Sequence, residues 1–242
     1  MQISLVIPAK NEAKRLPPSL NKIIEYFTAQ PREWEVIVVD NGSRDETGRL
    51  VEEAARTQPQ IKLLRELRPG KGAALRRGML AAQGEVVIFS DADLSCPIEE
   101  EAKLRQALQE CEVAIASRRL AESVVDKSVR RRVMSALFNW MVQALALPGI
   151  KDSQCGFKAF RREAARRLFG AGQVNGWAFD VEILFLARKA GYRIAEIPVR
   201  WVQVGGSQVH ALADSLRMMR DILRFRYHWA RGAYRGRLES GK

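Results

Sequence analysis

Two carboxylates two residues apart, Asp91 and Asp93, close the apolar run Val86-Val87-Ile88-Phe89. A short run rich in β-branched residues reads as a strand buried on both faces of a parallel sheet. Ligands of open α/β sheets bind beyond the carboxyl ends of the strands, so this spacing sets two negative charges where a substrate docks. Like charges this close raise each other's pKa unless a cation offsets them. Hard oxygen donors at i and i+2 suit Mg²⁺ or Mn²⁺, and the chemistry implied is a metal-held phosphate. The other reading of the pair is a cap on the helix expected after Pro97, since Asp and Ser are good N-caps.

Further residues of this kind sit at comparable places. Asp40 closes the apolar run 34–39 and is followed by the turn Asn41-Gly42-Ser43. Gly70-Lys71-Gly72 opens a helix, where backbone N–H groups, the helix dipole and the Lys71 ammonium suit a diphosphate. A plain glycine turn with a solvated lysine fits the same residues. After the first strand stands Pro8-Ala9-Lys10-Asn11-Glu12, which lacks the G-x-G-x-x-G of a dinucleotide site. No Ser or Thr follows Gly70-Lys71, which excludes a Walker-type P-loop.

The elements that must position these residues alternate. Strands are expected at residues 3–7, 34–40, 61–67, 86–90 and 113–117, with helices at 16–27, 45–56, 72–82 and 98–109 between them. Such βα alternation predicts an α/β fold, a doubly wound, mostly parallel sheet. Beyond Arg118 come a polar linker at 120–127, Arg130-Arg131-Arg132 and an apolar helix at 133–147. A strand at 154–160, helices at 163–169 and 179–189 and a strand at 194–202 follow. A basic helical extension runs from residue 212 to about 233. Helical spacing there gives a stripe of Arg217, Arg220, Arg224 and Arg231 and two apolar stripes, one of Leu212, Leu216, Met219 and Leu223, the other of Met218, Ile222, Phe225 and Trp229. Two apolar stripes exceed one core contact; one is free for an anionic membrane surface, or for a homodimer contact.

Over 242 residues, 40 Lys and Arg against 28 Asp and Glu leave a formal charge of +12, which favours an anionic partner. The three cysteines lack paired spacing and only His210 and His228 are present, so no zinc pattern exists and a reducing compartment is expected. Residues 3–9 lack the basic flank of a leader. No stretch approaches the ~20 apolar residues of a membrane span. The expected location is cytoplasmic, peripheral on the cytoplasmic face of a membrane.

The combination of Pro8 to Glu12, Asp40 to Ser43, Gly70 to Ala73, Asp91-Ala92-Asp93, Asp152-Ser153-Gln154-Cys155-Gly156-Phe157-Lys158, Trp177-Ala178-Phe179-Asp180-Val181-Glu182 and Trp201 with Gly206-Ser207 resembles the family 2 glycosyltransferases of the polyprenyl-phosphate type. Within these it is most similar to the dolichyl-phosphate β-glucosyltransferases, with the dolichol-phosphate mannose synthases next. The resemblance runs nearly end to end. It departs at Lys10, where the family usually carries an aromatic residue, and at Asn41, where it usually carries an acid. Both lie by the expected base and ribose pocket. The glucosyltransferases also usually carry an N-terminal membrane helix, whereas this chain starts at its first strand.

This resemblance implies a GT-A fold, with a catalytic domain at 1–211 (nucleotide-sugar half 1–118, acceptor half 119–211) and a basic amphipathic helix and tail at 212–242. It implies that Pro8, Ala9, Glu12, Asp40, Lys71, Asp91 and Ala92 bind the nucleotide sugar and that Asp91 and Asp93 hold a divalent metal, Mg²⁺ or Mn²⁺. Asp93, Asp152, Arg118 and Arg131 are the implied catalytic residues, the two arginines on the phosphate of a polyprenyl-phosphate acceptor. Ser135, Trp177, Asp180, Glu182 and Trp201 are implied for acceptor or sugar positioning. The expected reaction is inverting transfer of a hexose, glucose from UDP-glucose, to polyprenyl or dolichyl phosphate. GDP-mannose or a non-lipid acceptor is the alternative on the same fold. A basic nucleic-acid-binding module is the alternative from another class; no nucleic-acid motif supports it and the acidic pair opposes it, so no nucleic acid is expected.

Overall fold

A computed structural model describes residues 2–125, 141–202 and 211–239. Arg131, Ser135 and the Gly206-Ser207 motif lie outside the described residues, as does most of the helix expected at 133–147, of which residues 141–145 are helical.

Strands β1 (Ile3–Ala9) and β2 (Trp34–Asp40) are buried along nearly their whole length, as their apolar runs require of strands covered on both faces. They pair in parallel, which sets Ala9 beside Asp40. β3 (Ile61–Arg65) lies parallel to β2, and β4 (Val86–Ser90) lies parallel to β1 on its other side. Beyond β4 come β5 (Val113–Ser117), the short β6 (Val124–Val125), β7 (Phe157–Arg161), β8 (Ile194–Pro198) and the short β9 (Arg200–Trp201). The main sheet has the order β3-β2-β1-β4-β7-β5-β8, and β6 pairs with β9. β7 runs antiparallel between β4 and β5, with Phe157 opposite Ser90. Its first residue therefore lies at the carboxyl end of its parallel neighbours, and the segment leading into it crosses that end.

Helices α1 (Leu16–Thr28), α2 (Thr47–Thr57), α3 (Lys71–Ala81) and α4 (Glu101–Ala107), the last preceded by a single tight turn at Ile98–Glu100, alternate with the first strands. α5 (Arg162–Ala171), α6 (Phe179–Lys189), α7 (Ala211–Ala230) and α8 (Arg235–Glu239) complete the chain. Side chains alternate across each strand, so two cores form. Val6, Ile37, Phe89, Ile115 and Phe160 face one core with α3, α5, α6 and α7. Leu5, Val38, Ile88, Ala114 and Phe157 face the other with α1 and α4. α1 buries Leu16, Leu20, Ile23 and Phe27, and its Pro17 and Pro18 stand in the first turn, where a missing N–H costs nothing.

Several boundaries differ from expectation, three of them instructively. β3 stops at Arg65: the Glu66 N–H on the Asp40 carbonyl at 2.9 Å is its last bond to β2, and Leu67 beyond it is 91% exposed. The strand expected at 194–202 divides after Pro198, whose ring cannot donate to a ladder; Arg200 and Trp201 pair instead with β6. The last helix ends at Ala230, and Gly232 takes the left-handed conformation (φ 80°) that turns the chain toward Tyr234.

α7 docks through Met218, Ile222 and Phe225, with Phe185 of α6 against Phe225 and Trp229 at 5.4 and 5.5 Å between ring centres. Three of its large side chains stay outside: Leu216 is 74%, Leu223 54% and Tyr227 56% exposed. Among the described residues no helix is long and apolar enough to cross a membrane.

Candidate active site at the carboxyl end of the sheet

The segments that leave β1 and β2 are tied to each other. Pro8 and Ala9 end β1 beside Val39 and Asp40. Asp40 accepts the Ser43 N–H at 3.0 Å, Glu12 donates its N–H to Thr47 Oγ1 at 2.8 Å, and Asn11, left-handed at φ 55°, accepts the Arg44 N–H at 2.8 Å. Asn41, where the resemblance expects an acid, has a structural task. Its amide donates to the Glu66 and Arg68 carbonyls at 2.9 and 2.8 Å and accepts the Gly70 N–H at 2.8 Å. An aspartate could make only the last of these bonds.

Asp91, Ala92 and Asp93 form a turn closed by the Leu94 N–H on the Asp91 carbonyl at 3.2 Å, with Leu94 at φ 47°. One Asp93 oxygen accepts the Ser95 N–H and hydroxyl at 3.0 and 2.9 Å; the other faces Arg15 at 4.0 Å. The pair does not cap the helix after Pro97: neither the tight turn nor α4 has a side-chain cap. Lys71 reaches Asp91 at 2.5 Å, while the Asp91 side chain stays 40% exposed. Burial works to lower the Lys71 pKa, but Asp91, Asp180 and Asp93 outweigh it and hold the ammonium charged. The Glu12 carboxyl is raised by burial, opposed by the Arg15 guanidinium and reinforced by Asp93 and Asp91, so Glu12, Asp91 and Asp93 share one field. Arg15 binds Glu12 through two nitrogens at 2.7 and 2.5 Å. Nothing in its sequence context marks it, since it follows the motif by three residues.

The fold itself uses part of the backbone cradle expected of Gly70-Lys71-Gly72. Gly70 gives its N–H to Asn41, and Ala73 gives its N–H to the Asn175 carbonyl at 3.2 Å, so two amides at the start of α3 are already engaged. The glycines also serve close approach. A Cβ at Gly70, whose φ is 123°, would stand 2.1 Å from the Asn175 oxygen. The Lys71 side chain stands at this helix start, with the rings of Trp177 and Phe179 5.6 and 5.8 Å from its nitrogen.

A second charged group lies beneath. Lys158, 1% exposed on β7, donates to Asp180 Oδ1 at 2.5 Å and to the Cys155 carbonyl at 2.6 Å. Burial raises the Asp180 pKa against the pull of Lys158 and Lys71. Lys158 was missed as a functional residue; the signal that marks it is a lysine at an inward position of an apolar strand, a place that demands an acid partner. Glu182, two residues from Asp180, lies elsewhere. It accepts the Gln173 N–H, the Val174 N–H and the Tyr234 hydroxyl at 2.9, 2.9 and 2.5 Å, which makes it the anchor of the chain's end and not a sugar contact.

At the far side, Asp152 accepts the Arg118 N–H, Nε and Nη2 at 2.9, 2.7 and 2.9 Å. Burial pushes the Asp152 carboxyl up, but the Arg118 guanidinium outweighs it and brings it down to about 2. Arg118 lies 5.6 Å from the Trp201 ring. The segment from Asp152 runs to Gly156, whose carbonyl accepts the Asp91 N–H at 3.1 Å; a Cβ at Gly156 would fall 2.0 Å from Asp91 Oδ2. Asp91, Lys71, Asp93, Glu12 and Arg15 thus form one group, joined through residues 152–156 to Arg118, Asp152 and Trp201.

The pattern of the glycosyl transferase family 2 domain matches residues 4–169, which include both halves of this arrangement up to α5. The chain belongs to that family. Among curated relatives of this glycosyltransferase, dolichyl-phosphate β-glucosyltransferase of Dictyostelium discoideum is 35% identical over 96% of the chain and 76% of the relative. The enzyme of that name from Homo sapiens is 34% identical over 97% and 78%. Among solved structures, glucosyl-3-phosphoglycerate synthase of Mycobacterium tuberculosis, in complex with Mn²⁺, UDP-glucose and phosphoglyceric acid, aligns with a TM-score of 0.67 and 23% identity over 92% of this chain and 79% of that one. Mannosyl-3-phosphoglycerate synthase of Rubrobacter xylanophilus gives 0.71 and 20% over 96% and 75%. These likenesses show a GT-A-type fold.

The donor set of this family 2 enzyme fits a hard divalent cation. Asp91 and Asp93 offer only oxygens, and among the described residues no cluster of three His, Cys, Asp or Glu completes a cage by itself. Mg²⁺ and Mn²⁺ are commonly held by one or two carboxylates with phosphate oxygens supplied by the substrate.

Proposed function

We propose that the enzyme transfers glucose from UDP-glucose to dolichyl or another polyprenyl phosphate, with inversion, at an anionic membrane surface. The observation that carries this reading is the similarity of 96% of the chain to dolichyl-phosphate β-glucosyltransferase at 35% identity. The strand-end geometry supports it. Pro8, Ala9, Glu12 and Asp40 line the nucleoside end, Lys71 meets the diphosphate, and Asp91 and Asp93 hold the metal. A bound Mg²⁺ or Mn²⁺ supplies Lewis-acid stabilisation of the leaving diphosphate.

The acceptor needs orientation more than activation. A monophosphate whose second pKa is about 6 is largely dianionic at neutral pH, so its oxygen can attack the anomeric carbon without a general base. The new bond is from that carbon to the acceptor oxygen; the bond that breaks is to the β-phosphate oxygen, and UDP departs. A single displacement turns an α-linked donor into a β-linked product. Arg118, with its plane fixed by Asp152, and Arg131 are assigned to the acceptor phosphate, and Ser135, Trp177, Asp180 and Trp201 to orienting the sugar and acceptor. The exposed face of α7 meets the bilayer.

Thermal shift against UDP, GDP and their glucose and mannose derivatives, with Mn²⁺ or Mg²⁺, tests the donor assignment. UDP-glucose is expected to protect the fold most. Greater protection by GDP-mannose would replace the donor and move the protein to the mannose-synthase branch.

A further inference from the structure

Lys158 places a charge where the sheet itself has no need of one. β7 reads Phe157-Lys158-Ala159-Phe160-Arg161 and buries its first four residues. In register Lys158 lies between Phe89 of β4 and Ile115 of β5, both members of the apolar core shared with α3, α5 and α6. Its nitrogen stands 5.2 Å from the centre of the Phe89 ring. A buried ion pair adds little stability over apolar side chains of the same volume, so packing alone gives no reason for a lysine here.

The ammonium joins two parts of the site. It donates to Asp180 Oδ1 on α6 at 2.5 Å, and at 2.6 Å to the Cys155 carbonyl in the segment that crosses the end of the sheet. The next residue along that segment is Gly156. Its carbonyl accepts the Asp91 N–H at 3.1 Å, and its Cα lies so near the Asp91 carboxylate that an added Cβ would fall 2.0 Å from Oδ2. With no slack at this contact, the bond from Lys158 to the Cys155 carbonyl bears on where Asp91 stands. The other route runs through Asp180, which is 4% exposed. Burial works to lower the Lys71 pKa, while Asp91 and Asp180 hold its ammonium charged, and Lys71 in turn reaches Asp91 at 2.5 Å. Lys158, Asp180, Lys71 and Asp91 thus alternate in sign from the interior of the sheet to a carboxylate that is 40% exposed. Both routes from Lys158 end on Asp91.

We propose that Lys158 is a positioning residue for group transfer: from beneath the site, through the Cys155 carbonyl and through Asp180, it sets where Asp91 and Lys71 meet the metal-bound diphosphate. This rests on the nucleotide-sugar reading above and adds to it the buried residue that holds the donor's charged partners in place. At 1% exposure Lys158 itself touches neither donor nor acceptor.

Calorimetric titration with UDP in Mn²⁺, and UDP release from UDP-glucose in the presence of dolichyl phosphate, test it on wild type, Lys158→Met and the double variant Lys158→Met with Asp180→Leu. The single variant keeps the length of the side chain without its N–H groups. The double variant removes both buried charges, which a fold tolerates better than the loss of one partner, and keeps the test intact should the single variant not fold. UDP carries no sugar, so a contact of Asp180 with the hexose does not enter the titration. UDP affinity in Mn²⁺ is expected to fall about tenfold in both variants, as the loss of a charge-assisted hydrogen bond implies. The kcat of the single variant is expected to fall roughly a hundredfold, as a displacement of about 1 Å near the reacting centre implies. The double variant is expected to melt near wild type and the single variant lower, so that the loss of UDP affinity does not follow stability. Where Lys158→Met folds, wild-type UDP affinity and turnover in it would overturn the proposal; where only the double variant folds, wild-type UDP affinity there would do so. Wild-type protein that does not bind UDP in Mn²⁺ would overturn the donor reading, and the positioning role with it.

Discussion

Asp91 and Asp93 are not equivalent. Asp93 spends one oxygen on the Ser95 turn, whereas Asp91 is partly exposed and paired with Lys71. Both sit on a backbone turn fixed by other groups, so Asp93→Asn is expected to abolish turnover while shifting the melting temperature little, and EDTA to do the same reversibly; full activity in EDTA would sink the metal-assisted mechanism. The Arg118–Asp152 pair has a stability signature. Asp152 has its pKa lowered from 3.8 to about 2, so its contribution is present above 3.8 and is lost as pH falls toward 2. Urea midpoints measured from pH 5 down to 2 should fall more steeply for wild type than for Asp152→Asn, which starts less stable; parallel slopes would assign acid sensitivity to other carboxylates. Glu182, expected from sequence beside the sugar, instead satisfies three donors, so Glu182→Ala should cost roughly 3 kcal/mol or more of stability while leaving donor affinity intact where the variant is folded. The two aspartates were legible because a charge at the end of an apolar strand is conspicuous. Glu182 misled because the two residues from Asp180 to Glu182 turn the side chain about 200° around α6, from the face toward Lys71 to the face toward Tyr234, and a motif read as a string does not distinguish faces.

At the scale of elements, the informative one is β7. Its sequence showed a strand but not a direction, and the direction matters: running antiparallel, it delivers residues 152–156 across the carboxyl end of the sheet. The close contact of Gly156 with Asp91 follows from that crossing. Gly156→Ala would push a carbon to 2.0 Å from Asp91 Oδ2; displacing the carboxylate by about 1 Å should lower kcat by roughly a hundredfold, measurable as UDP release, with the protein still folded by circular dichroism. Activity near wild type would mean that the segment gives way and does not set Asp91. The alternation of β1 to β5 was readable because strands covered on both faces need unbroken apolar runs. The division at Pro198 was less so, since Arg200 and Trp201 look like a continuation until their pairing with β6 is seen. Lys71 kept its place at the start of α3, but Asn41 and Asn175 were invisible as its neighbours, because their bonds join residues far apart in the chain.

For the molecule as a whole the formal charge is +12, and the last helix carries four arginines against two aspartates. Helical spacing alone does not choose which apolar stripe of α7 docks; packing decides it, with Ile222 and Phe225 inside and Leu216, Leu223 and Tyr227 outside beside Arg217, Arg220 and Arg224. Basic residues near an anionic bilayer contribute about 1 kcal/mol each. Leu216→Glu with Leu223→Glu should therefore reduce sedimentation with phosphatidylserine vesicles at least tenfold, as buried leucine surface is worth about 1.5 to 3 kcal/mol per side chain, without changing UDP-glucose affinity. Unchanged sedimentation would give that face to a second copy of the chain or to solvent. Group transfer itself is tested most directly by product analysis. The purified protein with radiolabelled UDP-glucose, dolichyl phosphate in detergent and Mn²⁺ is expected to yield an organic-extractable β-glucosyl phosphate lipid and one UDP for each lipid formed. Label appearing only in a water-soluble glucoside, with no labelled lipid at any dolichyl phosphate concentration, would contradict it.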